Sequence, residues 1–167
     1  MKLESKEDFE QAYEQYGQAI YRFLYWQSKD PILAQDLSSA VFERAWKSRK
    51  TFTGGSIQAW LYRIARNLLT DHWRKKKELY MDDMPGVAEH LASNTAPYDY
   101  DSELNIWRLG KSLDKLPEDL RAVVVLRFID SLSAKEVGEI LGVTEGNVRV
   151  MQFRALRKLR RILENER

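Results

Sequence analysis

Residues 133–161 constrain the fold more than any other stretch of the chain. Ser133-Ala134-Lys135-Glu136 has the spacing of a capping box, in which a hydroxyl and a carboxylate satisfy the free amides of a helix start. It predicts a helix running to Leu141, ended by Gly142 in the left-handed region. Thr144 can cap a second, longer helix whose apolar stripe is Val148, Met151, Ala155, Leu159 and Ile162. Two capped helices around a glycine turn make a helix-turn-helix. The opposite face of the second helix holds Arg149, Arg154, Arg157, Lys158, Arg160 and Arg161, with no acid between Glu145 and Glu164. Cations displace counterions from phosphate, and side chains near a recognition-helix start reach base edges. Arg149 and Arg154 are early enough to bond guanine O6 and N7. Arg157, Lys158, Arg160 and Arg161 come later and suit phosphate. The competing reading of the charge run alone is a solvated basic helix end.

Upstream, helical signals dominate. Ser5 and Asp8 resemble a capping box, followed by Phe9, Ala12, Tyr13 and Tyr16 on one helical face. Ile20, Phe23 and Leu24 continue it. Asp30-Pro31 is an N-cap followed by proline at the first helical position. The next stripe is Leu33, Leu37, Ala40, Val41 and Ala45, with Phe42 and Trp46 beside it. Thr51 to Ser56 reads as a loop containing Gly54-Gly55, with Ser56 as the next N-cap. A helix from Ile57 to about Lys77 buries Trp60, Leu61, Ile64, Ala65, Leu68 and Leu69. Its end, Arg74-Lys75-Lys76-Lys77, suits the negative helix terminus. Later, Leu104 to Leu113 reads as a helix, and Pro117-Glu118-Asp119 opens another. The Val123-Val124-Val125 run allows a strand. The shared spacing of Leu116, Leu120, Val123, Val124 and Phe128 favours helix.

Charge divides the chain. Residues 1–77 hold 14 Lys and Arg against 9 Asp and Glu, and residues 106–167 hold 13 against 9. Residues 78–105 hold seven acids and no Lys or Arg, together with Pro85, Gly86, Ser93, Asn94 and Pro97. The expected architecture is all-α: two small helical domains, 5–77 and 106–165, joined by a flexible acidic linker at 78–105. The net charge of +2 conceals this.

The first domain holds 13 of the 19 aromatic residues. Aromatics with cations suit single-stranded nucleic acid, on which bases stack. Gly54-Gly55 forms a permissive wall for an extruded base, and Arg63, Arg66, Asn67, Trp73 and Arg74 lie on or near the helix behind it. Core packing is the competing reading for Phe9, Tyr13, Tyr16, Phe23 and Trp60.

Catalysis is not expected. With no Cys there is no thiolate nucleophile or metal site, and no disulfide. His72 and His90 are far apart, and Asp71-His72 reads as a helix-end pair. Gly54-Gly55 lacks the Lys-Ser/Thr of a phosphate loop, so no cofactor or metal is expected. Met1 to Asp8 has no apolar signal segment, and the longest aliphatic run, Val123 to Leu126, cannot span a bilayer. A cytoplasmic location without membrane insertion is the expectation.

Together the halves resemble an extracytoplasmic-function sigma factor of the sigma-70 family, from about Phe9 to Leu163. Asp36-Leu37-Ser38-Ser39-Ala40-Val41-Phe42-Glu43-Arg44-Ala45-Trp46 resembles the region 2 segment that grips the clamp helices of the polymerase β′ subunit. The resemblance assigns Asp36, Leu37, Phe42, Arg44 and Trp46 to that contact. Ala59 to Asn67 resembles the segment that melts and reads the −10 element, and residues 51–56 match the loop that receives a flipped base. Thr53, Gly54, Gly55, Arg63, Arg66, Asn67, Trp73 and Arg74 are thereby expected at −10 DNA. Leu116 to Leu163 resembles region 4, which implies −35 contacts for Thr144, Asn147, Arg149, Val150, Phe153, Arg154, Arg157 and Lys158.

The implied partners are core RNA polymerase, through its β′ clamp helices and β flap, promoter DNA, and an anti-sigma factor. Ser39-Ala40 stands where Gln-Glu is usual, and Gly138 where Ala is common, which reads as a packing change. Glu145-Gly146-Asn147-Val148 lacks the usual Thr before Val, and Val150 replaces a small polar residue. The linker, by the resemblance, threads the polymerase toward its active site and RNA exit. A plain flexible tether reads equally from the sequence alone, and the charge contrast with the two basic domains also allows the linker to fold back on them. The other class of function is a helix-turn-helix regulator that binds palindromic duplex without polymerase.

Overall fold

The computed structural model describes residues 5–82 and 109–165, in two compact units. Among the described residues the first unit holds three helices, α1 (Lys6–Ser28), α2 (Pro31–Ser48) and α3 (Ile57–Asp82), with one 3₁₀ turn at Arg49–Thr51. Local chemistry sets each start. Ser5 Oγ accepts from the Asp8 amide at 3.1 Å while the Asp8 carboxylate accepts from the Ser5 amide at 3.0 Å. Asp30 Oδ1 accepts from the amides of Ile32 and Leu33 at 2.9 and 3.1 Å. Ser56 Oγ accepts from the Ala59 amide at 3.1 Å. Each of these bonds satisfies a donor that the first helical turn leaves free.

The core of this unit lies between Ile20, Phe23 and Leu24 of α1, Leu37 and Val41 of α2, and Leu61, Tyr62, Ala65 and Leu69 of α3. Phe23 meets the fully buried Tyr62 edge to face at 5.3 Å. Several expected core positions differ. Tyr13 is 56% exposed, and Phe9, Tyr16, Trp60 and Leu68 are half-buried. The small Ala12, Ala34 and Ala59 take the tightest positions instead, because they let the helix backbones approach. On α2 the buried stripe runs through Ala34, with Leu33 only half-buried. α3 continues five residues beyond the expected end at Lys77. Arg74 to Lys77 therefore lie inside the helix, and the terminal-dipole argument for them does not hold.

The second unit contains helix α4, described over 109–114, α5 (Glu118–Val124), a π turn at Val125–Ile129, α6 (Ala134–Leu141) and α7 (Glu145–Asn165). The expected helical residues 104–108, and the linker beyond Asp82, lie outside the described residues. Pro117 stands just before α5 as its N-cap, not inside it. The valine run is helical. Its expected register fails at Phe128, which is 50% exposed, because the π turn inserts a residue. There the Asp130 amide donates to the Val125 carbonyl at 2.9 Å. The core is Leu113, Val123, Val125, Leu126, Val137, Ile140, Val148 and Ala155. Among the described residues, no helix is long and apolar enough to cross a membrane.

Candidate nucleic-acid interface

The helix-turn-helix forms as its caps dictate. Ser133 Oγ accepts from the Glu136 amide at 3.2 Å, and the Glu136 carboxylate accepts from the Ser133 amide at 2.8 Å. These same bonds, first from the Ser133 side chain and then from its backbone, hold the Glu136 carboxyl below its ordinary value. Gly142 ends α6 at φ 69°. Thr144 Oγ1 accepts from the Asn147 amide at 3.2 Å and starts α7. The packing change expected at Gly138 has a specific form in the turn. A Cβ there would stand 2.7 Å from the Val143 carbonyl oxygen, so the glycine lets the turn close onto α6.

On α7, Val148, Ala155 and Leu159 face the core, while Arg149, Val150, Phe153, Arg154, Arg157 and Lys158 are exposed. Asn147 and the capping Thr144 are exposed at the helix start. Arg149 donates from Nη2 to Glu145 Oε1 at 2.6 Å, which fixes its guanidinium one turn back. The hydrogen bond and charge of Arg149, then the charge of Lys135, lower the Glu145 pKa. Arg160 is engaged by Glu164 at 2.9 Å.

Two residues that sequence reading missed lock the helix in place. Arg127 Nε donates to Gln152 Oε1 of α7 at 3.0 Å, and its Nη1 donates to the Leu132 carbonyl. The π turn re-aims this side chain relative to a continuous α-helix, so periodicity could not reveal the pairing.

In the first unit, Thr53, Gly54 and Gly55 form an exposed loop with φ of +115° and +101° at the two glycines. No atom lies within 4 Å of a Cβ built at either glycine, so backbone conformation is the reason for them. Phe52 packs on Trp60 at 5.1 Å beneath the loop. Arg63 and Asn67 are exposed and Arg66 is half-buried, one helical turn apart on α3. Further along, Arg74 is exposed and lies 3.4 Å from Asp71. Trp73 is half-buried, between His72 at 5.4 Å and Lys76 at 5.4 Å.

The five residues expected at the polymerase do not share one surface. Asp36 and Arg44 are exposed, Trp46 is half-buried, and Leu37 and Phe42 are buried. Phe42 meets Tyr13 at 4.8 Å and Phe9 at 6.2 Å. Trp46 is held between Phe9 at 5.1 Å and the Arg49 guanidinium at 3.7 Å. Phe9 and Arg49 were not expected here. Only the interval of three between Trp46 and Arg49 could have suggested the second.

Comparison with known proteins agrees with both halves. Sigma-70 region 2 matches residues 12–78, and Sigma-70 region 4 matches residues 112–161. The chain is 33% identical over 160 residues to the ECF RNA polymerase sigma factor SigW of Bacillus subtilis, covering 90% of this chain and 86% of SigW. It is 34% identical to the ECF RNA polymerase sigma factor BldN of Streptomyces coelicolor, covering 95% of this chain and 61% of BldN. This chain thus spans about three-fifths of the length of BldN. The solved sigma factor RpoE of Bartonella quintana, crystallised with the anti-sigma factor NepR, superposes with a TM-score of 0.83. It has 26% identity to this chain, covering 96% of this chain and 99% of RpoE. The chain belongs to the ECF RNA polymerase sigma factors of the sigma-70 family.

Proposed function

We propose that this chain is an alternative sigma factor that binds core RNA polymerase and directs transcription from its own class of promoters. The observation that carries the reading is the outward face of α7. There Arg149, Arg154, Arg157 and Lys158 stand exposed around Val150 and Phe153 on a helix anchored by its other face. This helix enters the major groove of −35 duplex. The Thr53–Gly55 loop and the Arg63, Arg66 and Asn67 face capture unpaired −10 bases, and binding energy stabilises melting. Trp73 and Arg74 extend that face along α3.

Asp36, Arg44 and Trp46 meet the β′ clamp helices, with Leu37 and Phe42 supporting them from beneath, and the second domain meets the β flap. An anti-sigma factor is a further partner, in keeping with the NepR complex of the similar RpoE. No bond is made or broken by the chain, so it is not an enzyme, and it works in the cytoplasm beside the polymerase. Domain limits of 5–77 and 106–165 serve this division of labour.

The test combines core polymerase, this chain and a promoter library, and sequences run-off transcripts. Transcripts starting at a fixed distance from a shared two-part motif are expected. Absence of promoter-specific transcript, together with tight palindrome binding by the chain alone, identifies a polymerase-independent regulator and overturns the reading.

A further inference from the structure

Trp46 is the last aromatic side chain of α2 and is half-buried, so part of its indole stays open to solvent. An indole so placed turns about its two side-chain bonds unless neighbours stop it. From α1, Phe9 meets the ring edge to face at 5.1 Å. Arg49 holds it a second time. The Arg49 guanidinium carbon lies 3.7 Å from the ring centroid, and Nη1 donates to the Trp46 carbonyl at 2.7 Å. The same carbonyl accepts from the Arg49 amide. One residue thus grips both the ring and the backbone of Trp46.

Arg49 is itself braced. It opens the 3₁₀ turn Arg49–Thr51, its carbonyl accepts from the Phe52 amide at 3.2 Å, and Phe52 packs on Trp60 at 5.1 Å. Thr51 Oγ1 donates to the Ser48 carbonyl at 2.7 Å. The guanidinium therefore starts from a fixed backbone, and a planar cation over an indole face is a favourable contact. The last acid of α2, Glu43, pairs with Lys47, and Arg49 turns to the ring.

A side chain fixed before its partner arrives loses less freedom on binding. We infer that Arg49 is a positioning residue for the polymerase contact: it holds the Trp46 indole in the orientation that docks and touches neither polymerase nor DNA itself. The inference rests on the sigma-factor reading, which puts Trp46 at core polymerase, and adds to that contact a residue beyond the segment Asp36 to Trp46. The competing role is a cation that only stabilises the C-terminal end of α2.

The test titrates the full chain onto core polymerase at several salt concentrations, with thermal unfolding of each variant measured alongside. Arg49→Ala is expected to weaken binding about two- to tenfold, the cost of ordering one side chain on binding. The salt dependence stays as in the parent chain, because no charge is lost from the contact itself. A purely stabilising cation shifts the unfolding temperature but not the affinity of chain that remains folded. Arg49→Lys keeps the cation at the helix end but lacks the planar group that lies on the ring, so it unfolds like the parent and still binds more weakly. In a Trp46→Leu chain, Arg49→Ala costs nothing further. Trp46→Met supplies the same background should Trp46→Leu fail to fold.

Full affinity in Arg49→Ala overturns the inference, and so does full rescue by Arg49→Lys. A penalty that persists without Trp46, or a changed salt dependence, makes Arg49 a direct contact and overturns it as well. Parent-like binding by the Trp46 variants removes its premise and overturns it, while the sigma reading stands on the binding of the parent chain. Failure of the parent chain to bind core polymerase overturns both.

Discussion

The carbonyl oxygen of Val143 occupies the space that a side chain at Gly138 would need, 2.7 Å from where a Cβ would stand. The Val143 amide also donates to the Gly138 carbonyl at 3.0 Å, so the turn is hydrogen-bonded to the residue it covers. The recognition helix begins two residues later, and its angle to α6 depends on this approach. Gly138→Ala is therefore expected to destabilise the second unit by about 1–3 kcal/mol, the usual penalty for an added methyl in a closed space. Hydrogen exchange at the amides of Gly142 and Val143 reads the effect locally, and faster exchange there than in α1 to α3 is the expected result. Unchanged protection shows that the turn gives way without cost.

The capping box of α6 makes a second prediction with a defined sign. The Glu136 carboxyl is held below its ordinary value by the Ser133 hydroxyl and amide. A carboxyl depressed in the folded state stabilises fully above its unfolded value and loses that contribution as pH falls through the folded one. Stability of the second unit is expected to fall on acidification, and less so in Glu136→Gln, in which this titration is absent. Ser133→Ala costs about 1 kcal/mol at neutral pH. Denaturant unfolding at neutral and acid pH, followed by a probe in the second unit, measures both.

Residues whose geometry is local were legible in the sequence. The caps at Ser5, Asp30, Ser56, Ser133 and Thr144 and the left-handed Gly142 depend on side chains within three residues of their partners. The outward position of Arg149, Arg154 and Arg157 followed from the apolar stripe on the same helix. Distant packing was not legible. Nothing near Phe128 announces that a π turn will expose it, and nothing near Arg127 announces a bond to Gln152, 25 residues away. Tyr13 falls on the apolar face of α1 and Phe42 beside the stripe of α2, yet Phe42 is the buried one of the two, and their rings meet at 4.8 Å.

Arg127 spans the turn before α6 and the recognition helix, with Nε on Gln152 and Nη1 on the Leu132 carbonyl. Lysine retains the charge but cannot place two fixed donors on two acceptors. Arg127→Lys is expected to reduce discrimination between the −35 element and unrelated duplex by about three- to tenfold, leaving the salt dependence of binding unchanged. The salt slope reports phosphate contacts, so a change in it instead makes Arg127 a DNA-contacting residue.

The Gly54-Gly55 loop is set by backbone conformation, since φ lies at +115° and +101° with open space around both positions. Replacement by alanine at either position strains the loop without clashing. Gly54→Ala and Gly55→Ala are expected to leave duplex −35 binding intact and to slow open-complex formation, which needs the loop to receive an unpaired base. Permanganate reactivity of unpaired thymines in the holoenzyme–promoter complex separates the two steps. Equal loss of −35 binding shows that the loop acts on the whole fold instead.

Arg149 and Arg157 lie on one helix and are assigned different work. Arg149 lies near the start of α7, where side chains of a recognition helix reach base edges, with its guanidinium drawn toward Glu145. Arg157 lies two turns further along, fully on the solvent side, where phosphate is within reach. Arg149→Ala is expected to cost about 1–3 kcal/mol at one base pair of the −35 element and little on unrelated duplex. Arg157→Ala weakens binding to all sequences alike and lowers the salt slope by about one. Glu145→Gln frees Arg149 to sample other rotamers and gives a weaker form of the Arg149→Ala phenotype at the same base pair. Binding measured over a panel of single-base −35 variants at several salt concentrations distinguishes these outcomes. A loss from Arg157→Ala confined to one base pair, or one from Arg149→Ala uniform across the panel, exchanges the two roles and rotates the docked helix about its axis.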